Sequence, residues 1–592
     1  MINNNLIDKQ EASLRNSCSV VLAWAVKRLY PNVYWGYGSS SSDGFYYDFE
    51  SICSFQNSDL IQIQDEMKNI ISSNFPIIVK NITIDEAYAL FADEPYKKEI
   101  IADSVKNGMD VITICTIGTF NDIVFGDLLL NTGDINCNEF KLQRSSGAYW
   151  KDDADNKMLQ RIFGVAFEKE GALKEYEAYV DEISKRDHRV LGKQMDLYSL
   201  SEDIGLGLPL FHPKGSMIRY LMQGFSQKAH ILNDYKWLYT PHIGRGQLWE
   251  TSGHLGFYRE SMYSPIDVDG EDYYLKPMSC PFHIMVYNDS PKSYRQLPIR
   301  YTEYASVYRY ELSGTLQGLT RVRGFTQDDA HIICTPEQTY SEVKKALKFS
   351  LYILRSFGLE NFKAYVATKP KKKFIGSDEQ WNAAIEQLIK VVQECKLPYE
   401  MDEGGGAFYG PKIDLKINDV LGREWQCSTV QYDFNLPERF NMTYIGADNQ
   451  QYTPQMVHRA LFGSIERFFA LLVEHYAGDF PLWLAPVQIS VIPINNQIHM
   501  EYAEKIFAEL KRREMRVEME DSGSKLGVKL AHSQTEKIPY AFIIGQNEVN
   551  NGTISVRSKK DGDLGSMTLD EWFKLVKPQL DMGIPKYLDE EA

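Results

Sequence analysis

The first third of this 592-residue chain contains no histidine. All eleven histidines of the chain lie at His188 or beyond it. Imidazole is the side chain that most often exchanges protons near neutral pH. A site that depends on histidine chemistry is therefore excluded from that third of the chain, whatever fold it adopts.

Disulfide patterns and membrane-spanning runs are also missing. The eight cysteines are scattered and include no Cys-x-x-Cys pair, which predicts reduced thiols rather than a disulfide framework. The longest apolar run, at residues 20–26, is far shorter than the roughly eighteen residues of a membrane span. The polar first residues contain no apolar signal core. We therefore expect a cytoplasmic protein that is not exported and contacts no membrane.

Positive charge is in deficit as well. The chain has 80 acidic against 64 basic residues and a net charge of −16. This balance argues against a protein that coats nucleic acid, although it leaves room for a local basic patch that binds one RNA. Hydrophobic residues make up 44% and charged residues 24%, which excludes a wholly disordered chain.

Hydrophobic periodicity divides the chain into three regions. Residues 1–185 combine a helix predicted over 14–29 with short strand-like runs, which predicts an α+β domain. Residues 186–482 alternate strand-like runs with long helices, which predicts one antiparallel sheet surrounded by helices. Residues 483–592 alternate strands and helices, which predicts a small α/β domain with a largely parallel core. In the central region we predict strands at 273–275, 300–304, 330–334, 412–417 and 423–434.

The stretch from 304 to 334 holds the most chemistry: YASVYRYELSGTLQGLTRVRGFTQDDAHIIC. Its arginines suit phosphates, because a guanidinium stays charged and binds in a bidentate manner. Phe325 could stack on a flat heterocycle, and Asp328 with Asp329 could bind an amine or Mg²⁺. Composition alone does not separate this interpretation from a solvated hairpin with surface ion pairs.

Three further residues could form a zinc site. One thiolate, Cys280, and two imidazoles, His331 and His458, would leave an open fourth position, as in functional rather than structural zinc sites. Each residue alone has an ordinary alternative as a packed core side chain. The Cys-x-x-His spacing at 280–283 also arises often by chance.

These residues carry a resemblance to a known family. The chain resembles the threonyl-tRNA synthetases, a group of class II aminoacyl-tRNA synthetases, over nearly its whole length. YTPHI at 239–243 resembles class II motif 1, VYRYE with RVRGFTQDDAH resembles motif 2, and GSIERF at 463–468 resembles motif 3. KPMSCPFH, GAFYGPK and WQCSTVQYDFNLPERF resemble segments specific to the family. The resemblance implies an editing-like α+β domain over 1–185, a class II antiparallel-sheet catalytic domain over 186–482 and an α/β anticodon-binding-like domain over 483–592.

The resemblance also implies roles for single residues. Arg309 and Arg467 match the arginines that hold the ATP phosphates, and Lys412 matches a lysine that faces them. The motif 1 segment implies a homodimer. Further contacts to ATP, threonine or the adenylate fall on Met278, Glu311, Arg321, Phe325, Gln327, Asp329, Tyr409, Gln426 and Gln431.

The implied activity is that of a threonine–tRNA ligase. Threonine reacts with ATP, in the presence of Mg²⁺, to give threonyl-adenylate, and the threonyl group then passes to the 3′ end of tRNA(Thr). In the family, one Zn²⁺ per subunit sits on the residues that match Cys280, His331 and His458, and selects threonine by its amino and hydroxyl groups. Serine lacks only a methyl group, worth about 1–3 kcal/mol. The family therefore uses a separate editing site.

That editing site departs from the family pattern in this chain. The pattern is His-x-x-x-His on the first helix and a later Cys-x-x-x-His. Here the matching positions are Asn16, Val20, Val124 and Leu128. Since aliphatic groups cannot orient water, we predict a folded domain that does not hydrolyse seryl-tRNA; relocated editing chemistry is the alternative. The match begins near Leu14, so we expect no counterpart of the small N-terminal domain of many bacterial relatives.

The last region departs as well. Relatives tend to carry charged residues near Ser522, Ser524 and 531–532, where this chain has small or uncharged ones. Glu548 and Arg557 remain at positions that could read bases. An arginine that reads a base edge contributes about 1–3 kcal/mol. We therefore expect weakened or altered anticodon recognition.

Two alternatives to an ordinary ligase stay open. A paralog could activate threonine but deliver it to an atypical tRNA or a carrier protein. A non-catalytic RNA-binding regulator is the other alternative. It would have little need for the intact arginines and the three candidate zinc ligands, which argues against it.

Overall fold

The computed structural model describes residues 9–41, 44–51, 54–153, 156–371, 374–419 and 422–588. The chain divides into two compact units, one ending at Glu182 and the other beginning at Ile183. No helix within the described ranges is both long enough and apolar enough to cross a membrane.

The N-terminal unit is built around its first helix. Its elements are α1 (Lys9–Leu29), β1 (Tyr34–Ser41), β2 (Gly44–Glu50), α2 (Asn57–Ser72), β3 (Ile77–Thr83), α3 (Ile84–Leu90), α4 (Pro95–Lys106), β4 (Val111–Ile117), β5 (Phe120–Ile123), β6 (Phe140–Tyr149), β7 (Met158–Ala166) and α5 (Ala172–Arg186). Every residue of α1 from Leu14 to Val26 is buried, because the helix packs against α2, β1 and β2. One sheet has the order β1-β2-β7-β6 and the other the order β3-β4-β5.

A large, mostly antiparallel sheet organises the second unit. Its elements up to residue 475 are α6 (His188–Gln194), β8 (Tyr198–Leu200), β9 (Pro209–Phe211), α7 (Pro213–Leu232), β10 (Lys236–Trp237), β11 (Ile243–Arg245), α8 (Gly246–Ser252), α9 (His254–Phe257), β12 (Ile266–Val268), β13 (Glu271–Leu275), α10 (Cys280–Asn288), β14 (Ile299–Tyr308), β15 (Gly324–Cys334), α11 (Pro336–Ser356), β16 (Phe362–Ala367), α12 (Asp378–Glu394), β17 (Tyr399–Asp402), β18 (Lys412–Asn418), β19 (Glu424–Asp433), α13 (Leu436–Arg439), β20 (Tyr444–Ile445), β21 (Gln451–Tyr452), β22 (Gln455–Ala460) and α14 (Ile465–His475). The main sheet has the order β10-β14-β15-β22-β19-β18-β16-β17. Only its outermost pairs, β10 with β14 and β16 with β17, are parallel.

One predicted strand belongs elsewhere. Residues 273–275 lie in β13, which pairs with β11 and β12 in a separate three-stranded sheet rather than in the main one. The reason is local: β12 and β13 are joined by Asp269 and Gly270, which both have positive φ angles. An Asp-Gly turn of this kind closes a tight hairpin, so β13 pairs with its neighbour in sequence.

The end of the chain forms a five-stranded sheet. Its elements are β23 (Ile489–Pro493), α15 (Asn496–Arg512), β24 (Val517–Met519), α16 (Leu526–Thr535), β25 (Tyr540–Ile544), α17 (Gln546–Asn551), β26 (Ile554–Ser558), β27 (Gly562–Met567) and α18 (Leu569–Asp581). Strands β24, β23 and β25 are parallel, as predicted, whereas β26 and β27 add an antiparallel edge. Strand β27 shows no strand pattern in the sequence, because its two glycines interrupt the alternation of side chains.

Candidate active site

One cavity of about 510 Å³ gathers the residues that the motifs singled out. It opens over the face of the main sheet formed by β15, β22, β19 and β18. His331 is fully buried beside it. The predicted site residues that line the cavity are Met278, Cys280, Arg309, Glu311, Arg321, Phe325, Gln327, Asp329, Tyr409, Lys412, Gln426, Gln431, His458 and Arg467.

Strand alternation explains why these side chains converge. Alternate residues of a strand share a face, so Phe325, Gln327, Asp329 and His331 form one row along β15. Strand pairing then sets His331 directly opposite His458. On its other side, His458 lies opposite Gln431. The row of ligands across the sheet is therefore a consequence of register.

Asp328 and Asp329 do not form a pair of ligands, contrary to the sequence-based hypothesis. Asp328 occupies the opposite face of β15, where its Oδ1 accepts hydrogen bonds from the amides of Leu461 and Phe462 at 3.1 and 3.0 Å. Asp329 faces the cavity and accepts a hydrogen bond from Ser279 Oγ. Only Asp329 is placed to meet a substrate.

The candidate metal group is compact and buried. One possible ligand atom from each of Cys280, His331 and His458 lies within 4.8 Å of the others. His458 Nε2 lies 2.7 Å from a carboxylate oxygen of Asp433, which leaves Nδ1 as its ligand atom. His331 Nε2 is buried without a hydrogen-bond partner among the described residues. A sulfur and two imidazole nitrogens, one of them unsatisfied, fit a Zn²⁺ ion.

Burial sets the protonation of these groups. It raises the pKa of the Cys280 thiol well above its ordinary value, and the carboxylates of Asp329 and Asp433 raise it further. It lowers the pKa of His331 well below its ordinary value, so the imidazole is neutral, which is the ligating form. A bound divalent cation would reverse the preference of the thiol, because a coordinating thiol is deprotonated.

Two arginines provide positive charge to the cavity. Arg467 lies in the first turn of α14, and its buried Nε finds no partner among the described residues. Burial lowers the pKa of Arg467, and an anionic ligand would relieve that cost. The guanidinium carbon of Arg309 lies 5.1 Å from the ring centroid of Phe325. The cavity thus combines cations with an aromatic face, as a nucleotide requires.

Other predicted residues already have partners. Glu311 and Arg321 form an ion pair at 2.9 Å, and Lys412 Nζ lies 2.7 Å from the carboxylate of Asp414. The cations of these pairs, Arg321 and Lys412, must exchange partners if they bind phosphates.

Tyr409 and Gln431 lie beside the metal group. The hydroxyl of Tyr409 donates a hydrogen bond to Gln431 at 2.6 Å. The ring centroids of Tyr409 and His458 are 5.2 Å apart. Together with Asp329, this end of the cavity suits a small polar substrate such as an amino acid.

Three further residues near the metal group do not stand out in the sequence. His283 is buried next to His331, and Asp433 is buried next to His458. Glu303 is buried behind His283 and contacts its other ring nitrogen. The Cys-x-x-His spacing at 280–283 is the sequence signal for His283, although such a spacing also arises often by chance. Glu303 and Asp433 left no signal, because their contacts depend on strand register.

The four positions at which the resemblance predicts editing residues lie in the N-terminal unit. Asn16 joins two segments: its Nδ2 donates to Asp127 O at 3.3 Å and its Oδ1 accepts from the amide of Ser40 at 2.9 Å. Val20 and Val124 are buried in one apolar core. Leu128 packs against the same core. A separate cavity of about 1320 Å³ in this unit is lined by none of the four.

The two candidate anticodon residues differ in exposure. Glu548 is buried: its Oε2 accepts from the amide of Gly545 and its Oε1 from the hydroxyl of Ser555, both at 2.9 Å. It caps α17 and is occupied within the domain. Arg557, by contrast, is exposed on β26.

Comparison with known proteins identifies the family. Residues 263–476 match the class II core domain of tRNA synthetases (G, H, P, S and T), and residues 488–579 match an anticodon-binding domain. The threonine–tRNA ligase of Borreliella afzelii (strain PKo) is 46% identical over 572 residues, which cover 96% of this chain and 98% of that protein. The threonine–tRNA ligase of Aquifex aeolicus (strain VF5) is 44% identical over 572 residues, covering 96% and 89% of the two chains.

A solved structure agrees. The RNA-binding domain of threonyl-tRNA synthetase from Cryptosporidium parvum Iowa II matches with a TM-score of 0.64 and 37% identity, covering 68% of this chain and all of that one. Together with a class II core and an anticodon-binding domain, near-complete coverage at this level of identity leads to one conclusion. The chain belongs to the threonine–tRNA ligase family of class II aminoacyl-tRNA synthetases.

Proposed function

We propose that this protein activates threonine with ATP and Mg²⁺ and transfers the threonyl group to the 3′ end of tRNA(Thr). The observation that carries the proposal is one cavity that joins the guanidinium groups of Arg309 and Arg467 to a buried Cys280–His331–His458 group, in a chain of this family. Residues 186–482 are the proposed catalytic domain and residues 483–592 the anticodon-binding domain.

The arginines would act on the phosphates. The threonine carboxylate attacks the α-phosphate, and pyrophosphate leaves in line. Negative charge collects on the phosphoryl oxygens, where the guanidiniums of Arg309 and Arg467 would stabilise it. Phe325 offers a face on which the adenine can stack. The rest of the rate comes from holding the two substrates in contact.

The selection of threonine would depend on zinc. Cys280, His331 and His458 would hold the ion, a Lewis acid whose open coordination positions could take the amino and hydroxyl groups of the substrate. Tyr409, Gln431 and Asp329 flank that position and can orient those same groups. Valine has no hydroxyl and would leave polar partners unsatisfied, which costs far more than a missing methyl group.

We further propose that the N-terminal domain, residues 1–185, does not edit. Both the nitrogen and the oxygen of the Asn16 side-chain amide are already hydrogen-bonded to backbone groups. Val20, Val124 and Leu128 offer no atom that could orient water or stabilise an oxyanion. The filled core at these positions supports a domain kept for its shape rather than for hydrolysis.

A homodimer is part of the proposal. The motif 1 segment presents Tyr239 with 86% of its surface exposed, and Ile243 is 37% exposed nearby. Exposed aromatic and aliphatic groups at the expected interface support association with a second copy.

Threonine-dependent exchange of pyrophosphate into ATP tests the activation step. We expect Arg309→Ala and Arg467→Ala each to lower the exchange rate at least about 100-fold, as the loss of one transition-state donor does elsewhere. Arg512→Ala, which removes an exposed arginine of α15, serves as the control and should keep the parental rate. Full exchange in the Arg309 and Arg467 variants would refute the assigned roles. No exchange in the zinc-loaded parent would refute the proposed activity.

A further inference from the structure

One ring nitrogen of His331 is free and the other is engaged. Its Nε2 has no partner among the described residues, and its Nδ1 lies 2.8 Å from Nδ1 of His283. The two rings stand at an interplanar angle of 85°. Both side chains are fully buried, so solvent does not compete for this hydrogen bond.

The far side of His283 decides which nitrogen donates. A nitrogen-to-nitrogen hydrogen bond needs one N–H and one lone pair. His283 Nε2 lies 3.2 Å from Oε2 of Glu303, and an ionised carboxylate can only accept. Nε2 of His283 therefore carries the proton, and its Nδ1 is the acceptor. His331 must then donate through Nδ1, which leaves the lone pair on its Nε2.

Glu303 is itself held as an acceptor by three donors. The amide of Thr240 donates to it at 2.9 Å, the Thr240 hydroxyl at 2.8 Å, and Lys276 Nζ lies 3.3 Å away. Burial alone would raise the pKa of Glu303, but the hydrogen bonds from His283 and Thr240 and the charge of Lys276 hold it below its ordinary value. The carboxylate thus stays ionised.

We propose that His283 is a positioning residue that transmits the acceptor character of Glu303 to His331 and so fixes the His331 tautomer with Nε2 available to Zn²⁺. This inference rests on the proposed zinc-dependent function. Partners that orient a ligating imidazole typically change metal affinity about 10–100-fold. The Cys-x-x-His spacing then has a physical meaning: one turn of α10 supplies a ligand, Cys280, and the hydrogen bond that orients another ligand.

The test measures zinc binding rather than catalysis. Metal-stripped protein competes for Zn²⁺ with a chromogenic chelator, which yields a dissociation constant. His283→Phe keeps the ring but removes the acceptor, and we expect it to weaken zinc binding about 10–100-fold. His283→Asn places a carbonyl oxygen close to the position of Nδ1, and should keep the affinity within about threefold of the parent.

A matched control comes from another buried histidine. Like His283, His499 in α15 accepts a hydrogen bond through Nδ1. Its donor is the backbone amide of Asn495, at 3.2 Å. His499→Phe should leave zinc binding unchanged. Thermal melting of the metal-free proteins confirms that each variant is folded.

Two results would overturn the inference while leaving the zinc site intact. One is parental affinity in a folded His283→Phe protein; the other is an equal loss in the Phe and Asn variants, which would indicate packing. If His283→Phe does not fold, Glu303→Gln replaces it. A glutamine amide can donate as well as accept, so it no longer selects the His283 tautomer that carries its proton on Nε2. An unchanged zinc affinity in the Glu303→Gln variant would contradict the inference. A parent that binds no zinc would refute the metal proposal itself.

Discussion

Asp328 and Asp329 show how one step along a strand changes the role of a side chain. Asp329 faces the cavity, whereas Asp328 is 1% exposed on the other face of β15. Burial raises the pKa of Asp328 to about 7, although Arg459 and two backbone amides act against the shift. The ion pair with Arg459 is long, at 3.9 Å, and repays little of the desolvation cost.

This residue predicts a pH dependence of stability. In the unfolded chain an aspartate titrates near pH 4, so between about pH 4 and 7 the native state binds more protons than the unfolded state. The free energy of unfolding should therefore fall as pH rises through this window and level off above about pH 7. Asp328→Asn keeps the acceptor for Leu461 and Phe462 but cannot ionise. Between pH 5 and 7, we expect the free energy of unfolding of the parent to fall by about 1–3 kcal/mol relative to that of this variant.

Melting temperatures of both proteins at several pH values provide the measurement. The other ionisable groups are the same in both proteins, so their effects cancel when the two melting temperatures are subtracted. The melting temperature of the variant should therefore rise relative to that of the parent as pH rises. Parallel curves would contradict the assigned pKa.

At the scale of elements, α1 is defined by its packing. It remains the buried centre of the N-terminal unit, because the apolar stretch at 20–26 packs on all sides. At the two positions where the resemblance predicts imidazoles, it carries Asn16 and Val20. A helix without catalytic side chains can still hold a core together, since packing depends on volume and polarity rather than on proton transfer.

Preformed seryl-tRNA tests the proposal that the N-terminal domain does not edit. We expect deacylation at the rate measured without protein, because no group at the four altered positions can activate water. The same preparation must charge tRNA with threonine, which shows that it is folded and active. Rapid release of serine would contradict the prediction and point to hydrolysis elsewhere in the chain.

The segment from α17 to β26 separates a structural role from a binding role. Glu548→Ala removes the cap of α17 and should lower the stability of the C-terminal domain by about 0.5–2 kcal/mol. Arg557→Ala, on the exposed face, should change stability by less than about 0.5 kcal/mol. If Arg557 reads a base, its loss should weaken tRNA binding by about 1–3 kcal/mol. Melting curves and tRNA titrations of the two variants distinguish these effects. A stable Glu548→Ala protein with weakened tRNA binding, beside a destabilised Arg557→Ala protein with normal binding, would reverse the two assigned roles.

At the scale of the molecule, a net charge of −16 coexists with a cationic cavity. The acidic surface keeps the protein from binding nucleic acid without discrimination. Positive charge is concentrated where Arg309 and Arg467 meet the phosphates in the proposed function. Affinity for tRNA would then depend on a defined fit rather than on bulk electrostatics.

Much of this organisation was predictable from local patterns. The helix at 14–29 and the strands at 330–334 and 412–417 follow from runs of apolar and β-branched residues, and the structure confirms them. The placement of 273–275 was wrong, because a tight turn decided its partner. The support of His331 by His283 and Glu303 could not be predicted, since it depends on a helix and two strands that meet only in the folded chain.

The most direct test of the account is attachment of threonine to unfractionated tRNA by the zinc-loaded protein with ATP and Mg²⁺. Valine and serine are assayed in parallel. The account predicts robust attachment of threonine, strong rejection of valine, and stable seryl-tRNA that accumulates when serine is supplied. If folded, zinc-loaded protein activated threonine but left tRNA uncharged, the proposed ligase would be contradicted in favour of an enzyme that delivers threonine to another acceptor.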